Sequence, residues 1–264
     1  MRHRKRTLCL AFTGTFLCMA TGSFAQTVPF TIVSGDAPGG TYGIMGGVYT
    51  SPYTASVGGN TVAAICDDFS DEVSPGESWT AIATNLATLD ITTPTAAVYW
   101  DQGEGATQQT AYMVTAYLAE ELLAINQSTT TGQTTAGELS FALWGVFDPT
   151  LLTAANPAGL TTGTGGQLAA AENYLTSAES AVNTAITKQG LNNYLSTFSN
   201  VTIYSATINN GVPAESENSS RPQEFIVVNM AEPPSPALLG LDLLGAAGLL
   251  LFARRRWVGR TSPS

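Results

Sequence analysis

The densest group of residues able to do chemistry is Cys66-Asp67-Asp68-Phe69-Ser70-Asp71-Glu72, with Glu77 just beyond Gly76. Carboxylates this close repel one another, and a hard cation such as calcium relieves that repulsion through oxygen ligands. Asp67, Asp68, Asp71 and Glu72 are therefore candidate metal ligands, with calcium as the candidate ion. Their spacing departs from an EF-hand loop, which wants acids at alternate positions followed by glycine. The competing expectation, and the favoured one, is a solvated strand end whose charges face water. Cys66 is the candidate reactive thiol, against the favoured alternative of a buried small hydrophobe. Glycoside hydrolysis needs only two carboxyls roughly 5–10 Å apart. Glu120 and Glu121 are adjacent on an expected helix, however, and point in different directions. The single histidine is His3. If the N-terminus is removed, Ser-His-Asp, Cys-His and His-ligated metal chemistry go with it. No catalytic residue is assigned, and the chain is expected not to be an enzyme.

The elements that would hold these groups are legible in outline. From Val28 to about Leu89 the signals are β-like. Phe30–Val33, Val48–Tyr49 and Val62–Cys66 are short apolar or alternating runs, punctuated by Gly39-Gly40, Gly46-Gly47 and Gly58-Gly59-Asn60. A helical half starts near Gly103–Gly105. Val114, Tyr117, Leu118, Leu122 and Ile125 share one helix face. Thr135 with Glu138 forms a candidate capping box ahead of a second stripe, Leu139, Ala142, Leu143, Val146 and Phe147, which Asp148-Pro149 ends. A third helix carries Leu168, Ala171, Leu175, Ala178, Val182 and Ala185. Strands return at Val201–Ile208 and Glu224–Val228, with a polar loop, Asn209–Pro222, between them. The expected fold is α+β: an antiparallel sheet with about three packed helices, plus an N-terminal signal peptide and a C-terminal single transmembrane helix.

The two ends carry the clearest physics. Met1-Arg2-His3-Arg4-Lys5-Arg6 is basic, Leu8 to about Met19 is apolar, and Thr21-Gly22-Ser23-Phe24-Ala25-Gln26 offers small residues at Ser23 and Ala25. That order is a secretory signal peptide, cut between Ala25 and Gln26. The apolar run is shorter than the ~20 residues that span a bilayer. At the other end, Ala231-Glu232-Pro233-Pro234-Ser235-Pro236 precedes an apolar stretch from Ala237 to Ala253 and then Arg254-Arg255-Arg256. As a helix, Pro236–Ala253 is roughly 27 Å long, about one hydrocarbon core. Asp242 opposes insertion by roughly 2.5–3.5 kcal/mol, and each leucine returns roughly 0.3–0.6. The stretch has eight leucines, which return about 4 kcal/mol, so insertion is favourable by a small margin. The arginines fix the orientation, with 257–264 as a cytoplasmic tail and 26–230 outside.

Charge agrees with this partition. Of ten Lys and Arg, only Lys188 and Arg221 lie between 26 and 230. Of twenty Asp and Glu, only Glu232 and Asp242 lie outside that span, which leaves 2 minus 18, or −16. Such a surface repels nucleic acid and anionic lipid. Cys66 is the one cysteine of the span, so no intrachain disulfide forms there.

The tail, Glu232-Pro233-Pro234, an apolar helix and Arg254-Arg255-Arg256, resembles the PEP-CTERM sorting signal of Gram-negative bacteria, with Ala231 where the family has its first proline. The resemblance covers 231–256. It implies recognition by exosortase after passage through the Sec translocon and signal peptidase. It also implies a membrane-anchored precursor in the inner membrane, and a destination at the cell surface or in an extracellular, exopolysaccharide-associated matrix. Cys66-Asp67-Asp68-Phe69, Ala116-Tyr117-Leu118 and Phe141–Phe147 also resemble uncharacterised PEP-CTERM proteins. Separately, Cys66 together with Phe141-Ala142-Leu143-Trp144 resembles the thioester domains of some bacterial surface adhesins. In those domains a Cys bonds to a Gln. Ser140 stands at that Gln's position, so the resemblance implies shared architecture without the reactive bond. Trp79, Trp100 and Trp144 are available to stack on sugars, or to fill a core. The leading expectation is an exported, non-enzymatic surface or matrix protein. The alternatives are a carbohydrate- or surface-binding adhesin and a secreted hydrolase.

Overall fold

The computed structural model describes residues 26–35, 43–50, 52–69, 73–89, 106–156, 158–208, 212–213 and 222–229. The expected leader (1–25), sorting segment (231–256) and tail (257–264) lie outside them, as do Asp71, Glu72 and Trp100. The strands are β1 (Gln26–Ser34), β2 (Gly43–Met45), β3 (Val48–Thr50), β4 (Tyr53–Val57), β5 (Asn60–Cys66), β6 (Ser78–Asn85), β7 (Val201–Ile208), β8 (Val212–Pro213) and β9 (Phe225–Val228). The helices are α1 (Ala106–Ala124), α2 (Thr130–Trp144), α3 (Gln167–Gln189) and α4 (Leu191–Leu195).

The fold is α+β, and its antiparallel sheet closes. Around the ring the order is β6-β1-β4-β5-β9-β7, and β7 pairs back with β6. Closure removes the sheet edges that would otherwise need covering. Alternation in each strand supplies the barrel's filling. Phe30 in β1 and Trp79 in β6 are register partners, as are Tyr204 in β7 and Phe225 in β9. Register partners share a face. These side chains meet as an aromatic plug, with ring centroids 4.9 Å apart for Phe30–Trp79, 5.2 Å for Phe30–Phe225 and 5.5 Å for Phe30–Tyr204. Tyr53 meets Phe225 edge-on at 5.7 Å. Each buried aromatic stabilises the fold by roughly 1.5–3 kcal/mol relative to an exposed one. The β4–β5 hairpin turns at Gly58 and Gly59, at φ 56° and 88°. Two successive positive φ angles match the right-handed twist of the strands, and glycine supplies them without strain.

The opposite face of β5, β9 and β7 is covered by helices. α1 packs on β9 and against both α2 and α3. Its burial therefore runs beyond the expected Val114–Leu118–Leu122 stripe to Tyr112, Met113, Ala116 and Ala119. A helix enclosed on several sides has to be apolar on all of them. α3 shows the expected spacing, with Leu168, Ala171, Ala178 and Val182 buried. β2 and β3 form a separate hairpin against α2.

Several expectations are corrected. The sheet is a closed barrel, and a fourth, short helix, α4, follows the three long ones. The loop 209–222 contains β8. The capping box at Thr135 and Glu138 is not the start of α2. Thr129 caps that helix instead, its Oγ1 accepting the Gly132 N–H at 3.0 Å. Thr135, six residues further in, hydrogen-bonds Tyr174 of α3. Among the described residues no helix is long and apolar enough to cross a membrane.

Among the described residues β5 pairs with β9 at Ile65–Ile226 and Cys66–Phe225, while Val227 and Val228 of β9 pair with β7 alone. Asn60 to Ala64 have β4 on one side and no ladder partner on the other among the described residues.

Candidate functional site

Cys66, Asp67 and Asp68 close β5, and all are fully buried. The expectation of a solvated strand end is overturned. The residues follow β5 under α1 and α2, where the chain has no route to solvent. Asp67 lies across from Glu224, whose carbonyl accepts the Asp67 N–H at 3.3 Å, one rung past Cys66–Phe225. Ser205 of β7 also faces Glu224, because Tyr204 pairs with Phe225. Asp67, Glu224 and Ser205 thus share the outer barrel face, beneath Tyr112 of α1.

The hydrogen bonds converge on Glu224. Tyr112 donates its hydroxyl to Oε1 at 2.5 Å, and Ser205 donates to Oε2. Both carboxyl oxygens of Asp67 are buried and receive no donor from another residue, yet the Asp67 and Glu224 carboxyls lie within hydrogen-bonding reach. Two carboxylates cannot bond to each other, whereas an acid and a carboxylate can, through one proton. Burial, then the neighbouring charge of Glu224, then that of Asp68, push the Asp67 carboxyl well above the usual carboxylate range. The protonated form of Asp67 is thereby favoured. Glu224 accepts O–H groups from Tyr112 and Ser205. Exchanging a salt bridge for several hydroxyl donors is one of the few ways to bury a carboxylate far from a cation.

A second knot lies beside the first. The Cys66 thiol and the Gln223 amide both donate to the Asp68 carbonyl, each at 2.9 Å. The Trp144 indole N–H donates to the Cys66 carbonyl at 2.9 Å. The two segments behind the thioester-domain resemblance are thus in contact, as β5 end and α2. Ser140 does not face the thiol; its hydroxyl donates to the Ala136 carbonyl at 2.8 Å. Burial pushes the Cys66 thiol well up, and Asp68 and Asp67 push it further, so it stays protonated at neutral pH. Phe69, Phe141 and Trp144 close over this knot, with ring centroids of 4.9–6.0 Å.

Among the described residues no group of three or more His, Cys, Asp or Glu is disposed to hold a metal ion. Of the candidate calcium ligands, Asp67 is turned to Glu224, and Asp71 and Glu72 lie outside the described residues. Glu77 is exposed and accepts the Ser74 N–H at 3.0 Å. Glu121 hydrogen-bonds Tyr117 on α1, while Glu120 lies nearer Tyr194 of α4. The pair is divided between two neighbours, as their adjacency on a helix requires. Trp79 and Trp144 both fill cores.

Sequence reasoning placed Glu224 on a strand but missed its role, along with Tyr112, Ser205 and Gln223. One signal was present: Gln223-Glu224 opens an otherwise apolar run, Phe225-Ile226-Val227-Val228. A carboxylate at the head of a fully buried strand needs donors, and the hydroxyls of distant elements are the available ones. No family model, curated protein or solved structure matches this chain.

Proposed function

We propose that this chain is an exported, non-enzymatic cell-surface or extracellular-matrix protein sorted by exosortase, and that the barrel with its helical cover is the module displayed outside. The observation that carries this reading is the tail: Glu232-Pro233-Pro234, an apolar run, then Arg254-Arg255-Arg256. The basic, apolar and small-residue order ahead of Gln26 supports it, because such a substrate must first cross the membrane. Every described element lies between the two expected processing points, since β1 begins at Gln26 and β9 ends at Val228. Cleavage after Ala25 and within the tail leaves all of them intact. The buried carboxyls support a structural use of Asp67, because it is enclosed beside Glu224, whose carboxyl accepts from Tyr112 and Ser205. The exported span's charge of −16 suits a hydrated polysaccharide matrix and disfavours nucleic acid.

Mass spectrometry of the protein recovered from exosortase-positive cells and from their medium tests the reading. The expected mature chain begins at Gln26 and lacks Arg254–Arg256, and the same chain in exosortase-deficient cells keeps them. An intact C-terminus in both strains overturns exosortase sorting. An intact N-terminus on cytosolic protein overturns export.

A further inference from the structure

The geometry points to a binding site for a neutral saccharide at the mouth of the barrel, at the end away from the buried carboxyls. A cavity of about 490 Å³ opens there, lined by Val28, Val57, Asn60, Asn85, Thr202 and Tyr204 among others. That volume falls within the roughly 300–1,000 Å³ of small-ligand sites, and barrel mouths are a common place for them.

The lining residues follow from the register. Tyr204 pairs with Ala83 and Thr202 with Asn85, so these residues point to one face at the ends of β6 and β7. Val28 of β1, opposite Ala81, and Val57 and Asn60 of the β4–β5 hairpin complete the rim. The aromatic plug forms the floor, with the Tyr204 ring 5.5 Å from Phe30.

Chemistry narrows the ligand class. The chain carries twenty acids and ten bases, yet none of the residues lining this cavity is charged. An anion would find no cation there, and the net negative chain repels it. A metal or organic cation would find no carboxylate. A purely apolar ligand would strip water from two amides and give nothing back. A neutral polyhydroxylated ligand fits each part. Asn85 is held by donating to the Ser199 carbonyl at 2.8 Å and accepting the Ala87 N–H at 3.0 Å. One amide N–H and one carbonyl lone pair remain, in a fixed direction. Asn60 is exposed at the first position of β5 and adds a second amide. Thr202 and Tyr204 hydrogen-bond each other and present a hydroxyl pair. The half-buried Tyr204 ring offers a face for the C–H side of a pyranose. The site stands on the barrel alone. Sugar binding and tail processing are read by different measurements and fail separately.

Saturation-transfer NMR on the purified protein tests the site, with glucose, galactose, mannose and cellobiose as probes and glucuronate as the charged control. Transfer from at least one neutral probe is expected, with markedly less from glucuronate. Asn60→Ala with Thr202→Val removes two hydrogen-bonding groups and should weaken binding of that probe roughly tenfold at an unchanged melting temperature. If the double variant unfolds, Asn60→Ala alone, at an exposed position, decides by loss of transfer. The assignment is overturned by no transfer from any neutral probe, by glucuronate matching them, or by a folded variant that binds as tightly as the parent.

Discussion

Replacing Asp67 with asparagine tests the shared proton directly. In the folded protein the Asp67 carboxyl titrates well above its ordinary value near 3.8, whereas in the unfolded chain it titrates at about 3.9. Between those values the folded state holds one more proton than the unfolded state. Stability is then fully present below the unfolded value and is lost as pH rises toward the folded one, at about 1.4 kcal/mol per pH unit for one proton. This runs against the usual carboxylate behaviour, in which paired acids make a protein more stable as pH rises from 4. The amide of Asp67→Asn keeps the shape, still donates to Glu224 and does not titrate. The assay is urea denaturation from pH 5 to pH 8, followed by tryptophan fluorescence, with Trp144 adjacent to the cluster as reporter. The parent should lose stability across this range with a slope of up to about 1.4 kcal/mol per unit beyond that of the variant. By pH 8 the variant should be the more stable of the two. The difference between the curves isolates Asp67, because the repulsion among surface acids is common to both. Parallel curves, or a parent that gains stability between pH 5 and pH 8, refute the protonated pair.

Other perturbations read the same neighbourhood. Tyr112→Phe removes one of the donors to the buried Glu224 carboxyl and should cost roughly 1–3 kcal/mol in chemical denaturation, with no change in fold by circular dichroism. The Cys66 thiol should resist a maleimide in the native protein at pH 7.5 and react on addition of denaturant, because burial and the nearby carboxyls keep it protonated; rapid native labelling contradicts its enclosure. Gly132→Ala should destabilise the start of α2, because a Cβ there would sit 1.9 Å from the Asn126 carbonyl oxygen, a backbone atom unable to yield cheaply. A lower melting temperature than for alanine at exposed Gly47, where nothing lies within 4 Å of the added carbon but φ is +82°, separates the clash from general strain.

Legibility in the sequence followed the range of the forces involved. Period-3.6 stripes marked α1, α2 and α3, short apolar or alternating runs marked β1, β5 and β9, and alternation marked β7, because these patterns are local. The Gly58-Gly59 turn was visible because only glycine readily takes both its φ angles. Barrel closure was not visible: it depends on β6 meeting β7 more than a hundred residues later in the chain, as Ile82 pairs with Ser205. The capping of α2 was misread by six residues, since Thr129 and Thr135 are the same residue type and only Tyr174 distinguishes them. The acidic cluster misled for a related reason. Charge density suggested water or a cation, but burial favours the protonated form of Asp67, and its neighbour Glu224 lies far along the chain. Neither is written near residue 67.

Among the described residues the β5–β9 ladder is the shortest of the ring, with the two rungs Ile65–Ile226 and Cys66–Phe225. Just beyond the last rung stand Asp67 and Glu224, with Ser205 and Tyr112 tying them to β7 and α1. Hydrogen bonds to a charged group are worth roughly 1.5–3 kcal/mol each, more than a neutral backbone rung. The carboxyl pair thus clamps β5, β9 and β7 where the ladder is shortest. At the other end of the same strand pair, Val227 and Val228 pair with β7 and not with β5 among the described residues, and the cavity lies beside Thr202 and Tyr204. The fold thus concentrates its buried polar contacts at the end beneath the helices and places its cavity at the other.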